Sequence, residues 1–262
     1  MGHRLKTAGP PFLLKDKMTQ ARIQLVSTIA ETEAMSAFFM QVWADGPEVV
    51  PFDLALAAQH VGGYSAVATI DEKIVGASFG FQGSIDSYPG QRILHSHVTA
   101  ATVPGVGFAL KQHQKAWAIE HGIDAITWTF DPLVRRNAVF NFEKLGAIGI
   151  EYLPNFYGTM TDAINAGDDS DRLFTYWALS ERAFASAGSA STANQSTSST
   201  SEVSAILVEL PEDVESLRKS NLADALEWRA RVREVLEPAL AEGYRVTGIF
   251  NRQSLVLEQT PE

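Results

Sequence analysis

The chain has 262 residues, 45% of them apolar, and a formal net charge of −10. That length and composition allow one large domain, or two of ordinary size, with a real hydrophobic core. The acidic balance disfavours a nucleic-acid partner, and the absence of cysteine excludes a disulfide framework, a thiolate nucleophile and a cysteine metal site.

The N-terminal segment, residues 1–18, is basic, contains Pro10 and Pro11, and has neither helical nor strand periodicity. We predict a mobile arm there. It lacks the apolar core of a signal peptide, and no apolar run of the chain approaches the about 18 to 20 residues of a membrane span. We therefore expect a cytoplasmic protein without a membrane partner.

The first regular elements follow this arm. Alternating apolar and polar residues predict a strand over Ala21–Thr28, and helical spacing takes over from Thr32. A second helix is predicted over Phe52–Val61. The segments Tyr64–Ile70 and Ile74–Phe81 are predicted as strands joined by a polar hairpin turn. The order is strand, two helices and two strands.

The stretch from Leu94 to Gly122 predicts a strand, a glycine-containing turn and a helix. Gly105 and Gly107 would let the backbone approach a ligand closely. The unpaired N–H groups of the first helical turn would point at that ligand, together with the positive end of the helix dipole. The pattern favours a phosphate-binding turn, and the alternative is a tight turn that binds nothing.

A further strand and helix come next. The segment Asp124–Phe130 predicts a buried strand, and a turn and short helix follow and end at Gly146. This order of strand, GxGxxL, helix and strand, followed by N-A-x-x-x-F-x-K-L-G, resembles the GNAT acyltransferase superfamily. The resemblance extends from about Gln24 to Leu179.

The resemblance implies a GNAT-like α/β fold with a mixed sheet, and acetyl-CoA or another acyl-CoA as co-substrate. It places the CoA pyrophosphate on the backbone at the start of the helix and the pantetheine arm near one residue of the next helix. The residues implied as cofactor contacts are Gly105, Val106, Gly107, Phe108, Ala109 and Asn137.

Two departures from the family pattern bear on activity. Pro104 runs directly into Gly105, so the phosphate turn is short. The position where the family often has a proton-donating tyrosine is Phe142, which has no proton to give. The sequence favours an N-acyltransferase, with acetyl transfer to an amine of a small molecule, and the alternative is a non-catalytic CoA-binding or structural module. A hydrolase or metal enzyme receives little support, because neither GxSxG nor HExxH occurs.

Acyl transfer to an amine needs a base, an oxyanion donor and an acid for the leaving thiolate. His95 and His97 share a face of the strand before the turn, and His97 is our candidate base because the unperturbed histidine pKa is about 6.5. Asp131 is the reserve base, although an Asx bond within its own turn is an alternative role. Tyr157 or Tyr152 is the candidate acid. Structural histidines are an equal alternative, and we predict no metal site.

The rest of the chain predicts three further segments. Residues 19–182 form the acyltransferase-like domain, and residues 183–204 are a Ser, Thr and Ala-rich flexible linker. Residues 205–262 predict a small α/β unit with a strand, two helices and a terminal hairpin. Because so small a unit is marginal alone, we expect it to pack on the first domain or on another subunit, as in a homodimer.

Overall fold

The computed structural model describes residues 12–13, 21–43, 49–158, 167–187 and 205–259. The chain divides into two compact units, residues 1–126 and residues 127–262. Each combines strands with helices, so the predicted α/β class is confirmed. The predicted domain boundaries at 182 and 205 stay predictions, since the division into compact units falls elsewhere.

The first unit is a sheet with helices. Its strands follow one another in chain order, and each pairs antiparallel with the next. Its elements are β1 (Phe12–Leu13), β2 (Arg22–Leu25), α1 (Ile29–Val42), α2 (Phe52–His60), β3 (Tyr64–Ile70), β4 (Lys73–Gly83), β5 (Ile93–Ala101) and α3 (Val106–Glu120).

Local sequence explains several of these boundaries. Thr28 and Glu31 form a capping box, which starts α1 earlier than the predicted Thr32. The predicted β3–β4 hairpin is confirmed, because Asp71 and Glu72 have φ of 47° and 63°, the left-handed pair that such tight turns require. Within the predicted N-terminal arm, β1 is a two-residue strand paired with β2, and the mobility of the arm stays a prediction. Residues 1–11 and 14–18 of that arm lie outside the described residues.

The core of the first unit lies between α1, α2 and one face of the sheet. Met35 and Phe39 of α1 pack there with Phe79 of β4 and Val98 of β5, and all four are buried. Apolar burial of this kind is the main stabilising contribution to a fold. It fixes the sheet that carries the candidate site.

The second unit starts within β6. The order of its strands is β6, β8, β7, β10, β11 and β9. Its elements are β6 (Ala125–Phe130, whose first two residues belong to the first unit), α4 (Arg135–Ala138), a π-helical turn (Val139–Lys144), β7 (Ile148–Leu153), β8 (Arg172–Ala178), α5 (Glu181–Ser186), β9 (Ile206–Glu209), α6 (Val214–Ser220), α7 (Leu222–Ala241), β10 (Tyr244–Phe250) and β11 (Ser254–Gln259).

The C-terminal elements pack within this second unit. Strand β10 pairs with β7 at Val246 and Gly149, and a Cβ on Gly149 would lie 3.0 Å from the Val246 Cβ. Helix α7 packs against β7. The Asn221 side chain accepts from the Asp224 N–H, which confirms the predicted cap, and α7 continues through Pro238 to its end.

Helix α5 extends four residues into the predicted linker, from 183 to 186, and the flexibility of the linker stays a prediction. Ser180 caps this helix by accepting a hydrogen bond from the Ala183 N–H. Residues 188–204 lie outside the described residues. Within the described part of the chain, no helix is both long and apolar enough to cross a membrane.

Candidate functional site

The turn between β5 and α3 requires glycine at its last position. Gly105 is the N-cap of α3 and has φ 86° and ψ −24°, a left-handed conformation that strains other residues. The N–H of Thr102 donates to the Val75 carbonyl at 2.9 Å and ties the turn to β4. The helix start is therefore held in place by the sheet.

The first amides of α3 are not all available to a ligand. The Val106 N–H donates to Val103 O at 3.2 Å, and the Ala109 N–H donates to Gly105 O at 3.1 Å. Among the described residues, the Gly107 N–H has no hydrogen-bond partner. Of the atoms that the structure describes outside the helix's own backbone, a Cβ built on Gly107 would meet within 4 Å only the Ala101 Cβ, at 3.8 Å. The open position at Gly107 is thus the best-formed part of the predicted phosphate site.

Strand β5, which leads into this turn, carries a bulge at Ser96 and His97. Val98 pairs with Phe79 and His95 pairs with Phe81, so Ser96 and His97 stand opposite the single residue between those partners. That residue, Gly80, has no room for a side chain, because a Cβ would lie 2.8 Å from the His95 carbonyl oxygen. Bulges redirect side chains, and this one sets the direction of His97.

The ring centroids of the two histidines of β5 are 6.4 Å apart. His97 Nε2 lies 3.4 Å from Val49 O. Since a carbonyl oxygen can only accept, this contact places the proton on Nε2 and leaves Nδ1 as an acceptor. Burial lowers the pKa of His97, against a smaller opposing effect of the Val49 carbonyl, so the ring is neutral and can take a proton at neutral pH.

Burial also lowers the pKa of His95, to about 4, and the neighbouring His97 and Lys111 add to the shift. Both imidazoles of the pair are therefore neutral at pH values where amines are acylated. Among the described residues, no group of three or more histidine or acidic side chains is placed to hold a metal ion.

A buried polar network that was not predicted from the sequence lies beneath β5. Lys111 Nζ donates to Ser96 Oγ at 2.8 Å and to Gln114 Oε1 at 3.3 Å, and Gln114 Nε2 donates to Ser78 Oγ at 3.3 Å. Burial lowers the pKa of Lys111 to about 7. A signal was present: Gly107, Lys111 and Gln114 follow a helical spacing on a face of α3 that should otherwise be apolar.

Asp131, in the second unit, is held by arginines. Its Oδ1 accepts from the Leu133 N–H at 3.0 Å, which confirms the Asx turn. Arg229 donates to its two oxygens at 2.8 and 2.9 Å, and Arg218 donates at 2.5 Å. Burial alone would raise the pKa of Asp131, but the bonds and charges of Arg229 and Arg218 outweigh it and lower the pKa to about 2. A carboxylate held in this way is a poor base, which argues against the predicted reserve role.

A second carboxylate completes this group. Arg229 Nε and Nη2 donate to Asp168 at 3.2 and 2.9 Å, and Arg218 Nε donates to it at 2.9 Å. All four side chains are buried. We call this set, Asp131, Asp168, Arg218 and Arg229, the buried ion cluster. It joins the end of β6 and the segment before β8 to α6 and α7.

The Asp131 pKa predicts how stability changes with pH. In the unfolded chain an aspartate titrates near about 3.9, whereas the folded value is about 2. Because the folded pKa is depressed, the stability from this ionised group is present above about pH 4 and is lost as the pH falls toward about 2. The free energy of unfolding of Asp131→Asn should be lower than that of wild type at about pH 6, and the difference should narrow below about pH 4. Urea unfolding of wild type and Asp131→Asn at several pH values measures the two free energies of unfolding. A difference between them that stays constant with pH would contradict the lowered pKa of Asp131 in the folded protein.

The two candidate acids have different surroundings. The Tyr152 hydroxyl donates to the Asp171 carboxylate, and burial, followed by that carboxylate, raises its pKa well above the usual range. Its proton is therefore held, which argues against Tyr152 as the acid. Tyr157 is 46% exposed, and its hydroxyl lies 3.1 Å from Thr129 Oγ1. Tyr157 is the better candidate of the two.

The other two motif positions of the second unit also have defined surroundings. Phe142 is buried in the π-helical turn, with its ring centroid 5.9 Å from that of Phe130, so no proton donor stands there. Asn137 is partly exposed in α4, and its side chain forms no hydrogen bond within the described part of the chain. Its contact with a pantetheine arm stays a prediction.

Comparison with known proteins gives similarity to solved structures alone, since no protein-family model and no curated protein matches the chain. One similar structure is an acetyltransferase of the GNAT family from Streptococcus pneumoniae (TM-score 0.46, 13% identity, 60% of this chain and 98% of that chain). Another is the ribosomal-protein-S18-alanine N-acetyltransferase from Escherichia coli (TM-score 0.46, 14% identity, 68% and 99%). A third is yncA from Salmonella typhimurium, with its cofactor acetyl-CoA (TM-score 0.48, 17% identity, 62% and 95%). At these values the likenesses decide neither the activity nor the substrate of this chain.

Proposed function

We propose that the chain is a GNAT-type N-acyltransferase that uses acetyl-CoA, or another acyl-CoA, to acylate an amine of a small molecule. The observation that carries the proposal is the start of α3. There a left-handed Gly105 and an open Gly107, whose N–H has no partner among the residues that the structure describes, follow a strand whose bulge directs a neutral histidine. These features lie within the motif that resembles the family.

The helix start supplies the anion-binding part of the proposal. Backbone N–H groups and the positive end of the α3 dipole favour a phosphate near Gly105 and Gly107. Val106 and Ala109 contribute helix geometry instead, because their side chains are buried and their N–H groups are already bonded. The exposed ring of Phe108, 37% accessible, lies beside them. The ligand class that fits is a phosphorylated one such as CoA.

The histidine supplies the base. Attack by a neutral amine nitrogen on the thioester carbonyl forms a C–N bond and, when the tetrahedral adduct collapses, breaks the C–S bond. His97 Nδ1 accepts the proton that the amine loses. An N–H of β5 would stabilise the oxyanion, and the departing thiolate takes a proton from an acid, for which Tyr157 is proposed.

Substitution at Gly107 tests the binding site. Gly107→Val should abolish binding of acetyl-CoA, because its side chain fills the open position beside the helix start, while valine suits a helix at least as well as glycine. Gly83→Val is the matched control, since a Cβ there meets no atom of the described part of the chain within 4 Å. Isothermal titration calorimetry measures the affinity of both variants for acetyl-CoA. Unchanged affinity in a folded Gly107→Val protein would remove the site assignment.

Tyr157→Phe tests the acid. The substitution removes the hydroxyl and keeps the ring under the Arg172 guanidinium, which lies 5.1 Å from the ring centroid. We expect acyl transfer to slow by about a hundredfold if this proton is the one given to the thiolate. A rate equal to that of wild type would indicate that water or another group is the acid.

A second function is favoured by Phe142. Its buried ring stands where the family often has the proton donor, which is the expected state of a module that binds CoA without turnover. That alternative predicts full acetyl-CoA binding with no amine-dependent release of thiol.

A further inference from the structure

We propose that Lys111 is a positioning residue for the histidine pair of β5, acting through Ser96 at the bulge. The inference rests on the proposed function for its catalytic meaning, because His97 is the base in that function. Its structural content concerns residues of the first unit alone.

The bulge needs something to fix its register. A strand paired one residue out of register turns every side chain to the opposite face, and a bulge is a place where such a slip can occur. Here Ser96 and His97 together face Gly80. A slip of one residue at this point would turn His97 away from its contacts with Phe79 and Val49.

The polar network beneath β5 fixes this register from the α3 side. Lys111 bonds Ser96 inside the bulge, and through Gln114 it reaches Ser78 of β4. The Ser78 hydroxyl lies 2.8 Å from that of Thr99, beyond the bulge on β5. The network thus holds β5 within the bulge and on its C-terminal side.

The same bulge is fixed from the opposite strand. A Cβ on Gly80 would lie 2.8 Å from the His95 carbonyl oxygen and 3.3 Å from the Ser96 Cα, so β4 leaves space only for the bulge as it stands. Lys111, at 6% exposed, is buried beneath this point, and a buried polar network that is fully bonded favours one arrangement of the strands around it. Lys111 and Gly80 therefore hold the bulge from two directions.

Charge gives Lys111 a second effect on the pair. The groups whose charge bears on His95 are His97, on the same strand, and Lys111, on the packed helix. At the acidic pH where His95 titrates, Lys111 is protonated and opposes a second positive charge nearby. Removing the lysine should make His95 easier to protonate, which a purely structural role for Lys111 would not predict.

Histidine titration by NMR on the full chain tests the proposal without any substrate. In Lys111→Met the His95 midpoint should rise, while burial still keeps it below the unperturbed value of about 6.5, and the His97 ring resonances should move. Lys115→Met, the same substitution on the same helix, should leave both histidines as in wild type. Wild-type curves in a folded Lys111→Met protein would overturn the proposal.

Ser96→Ala is a second variant that tests the same proposal if Lys111→Met does not fold. This variant removes the hydroxyl that accepts from Lys111 and changes little else, so the His97 resonances should again move. Wild-type His97 resonances in Ser96→Ala would overturn the proposal on their own.

Steady-state kinetics then test whether the positioning of His97 by Lys111 affects the rate of acyl transfer. In Lys111→Met, kcat for acyl transfer should fall by about tenfold to a hundredfold, with KM for acetyl-CoA little changed, because the misplaced group is the base and not the phosphate site. An unchanged kcat would contradict the catalytic part. A wild-type protein that transfers no acyl group would instead contradict the proposed function, and the NMR result would still decide whether Lys111 positions the histidines.

Discussion

Arg229→Leu is expected to lower the free energy of unfolding by about 3 to 5 kcal/mol, because it leaves two buried carboxylates with one arginine between them. Arg229 makes hydrogen bonds to both Asp131 and Asp168, and its own side chain is 4% exposed. Arg218 already donates to the same two carboxylates, so its single positive charge would remain against two negative charges. The loss is therefore an uncompensated buried charge.

Arg231→Leu is the matched control on the same helix. Arg231 is 54% exposed, and its carboxylate partner Glu227 lies 3.7 Å away. An exposed pair of this kind contributes at most about 1 kcal/mol. Urea unfolding followed by circular dichroism measures both variants. Equal destabilisation by the two substitutions would show that the buried ion cluster does not hold the second unit together.

His97→Ala should slow acyl transfer by about a hundredfold or more, the usual cost of removing a general base. The structure supports this role through the neutral ring and the free acceptor at Nδ1, which follow from its burial and from the Val49 contact. Because the pKa of His97 is lowered, the rate should reach its plateau below the pH at which an exposed histidine would titrate. Steady-state rates at several pH values measure both effects.

His60→Ala is the control for that measurement, because His60 is an exposed residue at the end of α2. It should leave the rate unchanged. A His97→Ala rate within a few-fold of wild type would mean that His97 is not the base. Water would then be the next candidate.

The strand, turn and helix around Gly105 could be predicted because they depend on local sequence. Apolar periodicity marks β5 and α3, and glycines mark where they begin and end. The hairpin at Asp71 and the cap at Asn221 follow from neighbouring residues in the same way. Each of these predictions needed only side chains a few positions apart.

The buried ion cluster could not be predicted because its partners are distant in sequence. Asp131 is separated by 87 residues from Arg218 and by 98 residues from Arg229, so no local pattern joins them. The sequence showed only an aspartate after a strand, a position where a ligand group is often found. In the folded protein Asp131 is buried and accepts hydrogen bonds from Arg218 and Arg229 instead.

Tertiary contacts also distinguish two tyrosines that look alike in the sequence. Tyr152 and Tyr157 lie in one aromatic segment, and the sequence offered both as acids. The Tyr152 hydroxyl donates to the buried Asp171, whereas Tyr157 is 46% exposed and its hydroxyl lies 3.1 Å from Thr129 Oγ1. Lys111 was passed over for a related reason, since a lysine on a helix usually lies in solvent.

Amine-dependent release of CoA thiol from acetyl-CoA tests the proposed acyl transfer most directly. The chain contains no cysteine, so a thiol reagent reports the released CoA alone. We predict that a set of small primary amines will include some that accelerate thiol release in proportion to protein concentration, and that His97→Ala will remove that acceleration. Release that is equal with and without every amine, by a protein that binds acetyl-CoA, would contradict the account and leave a CoA-binding module.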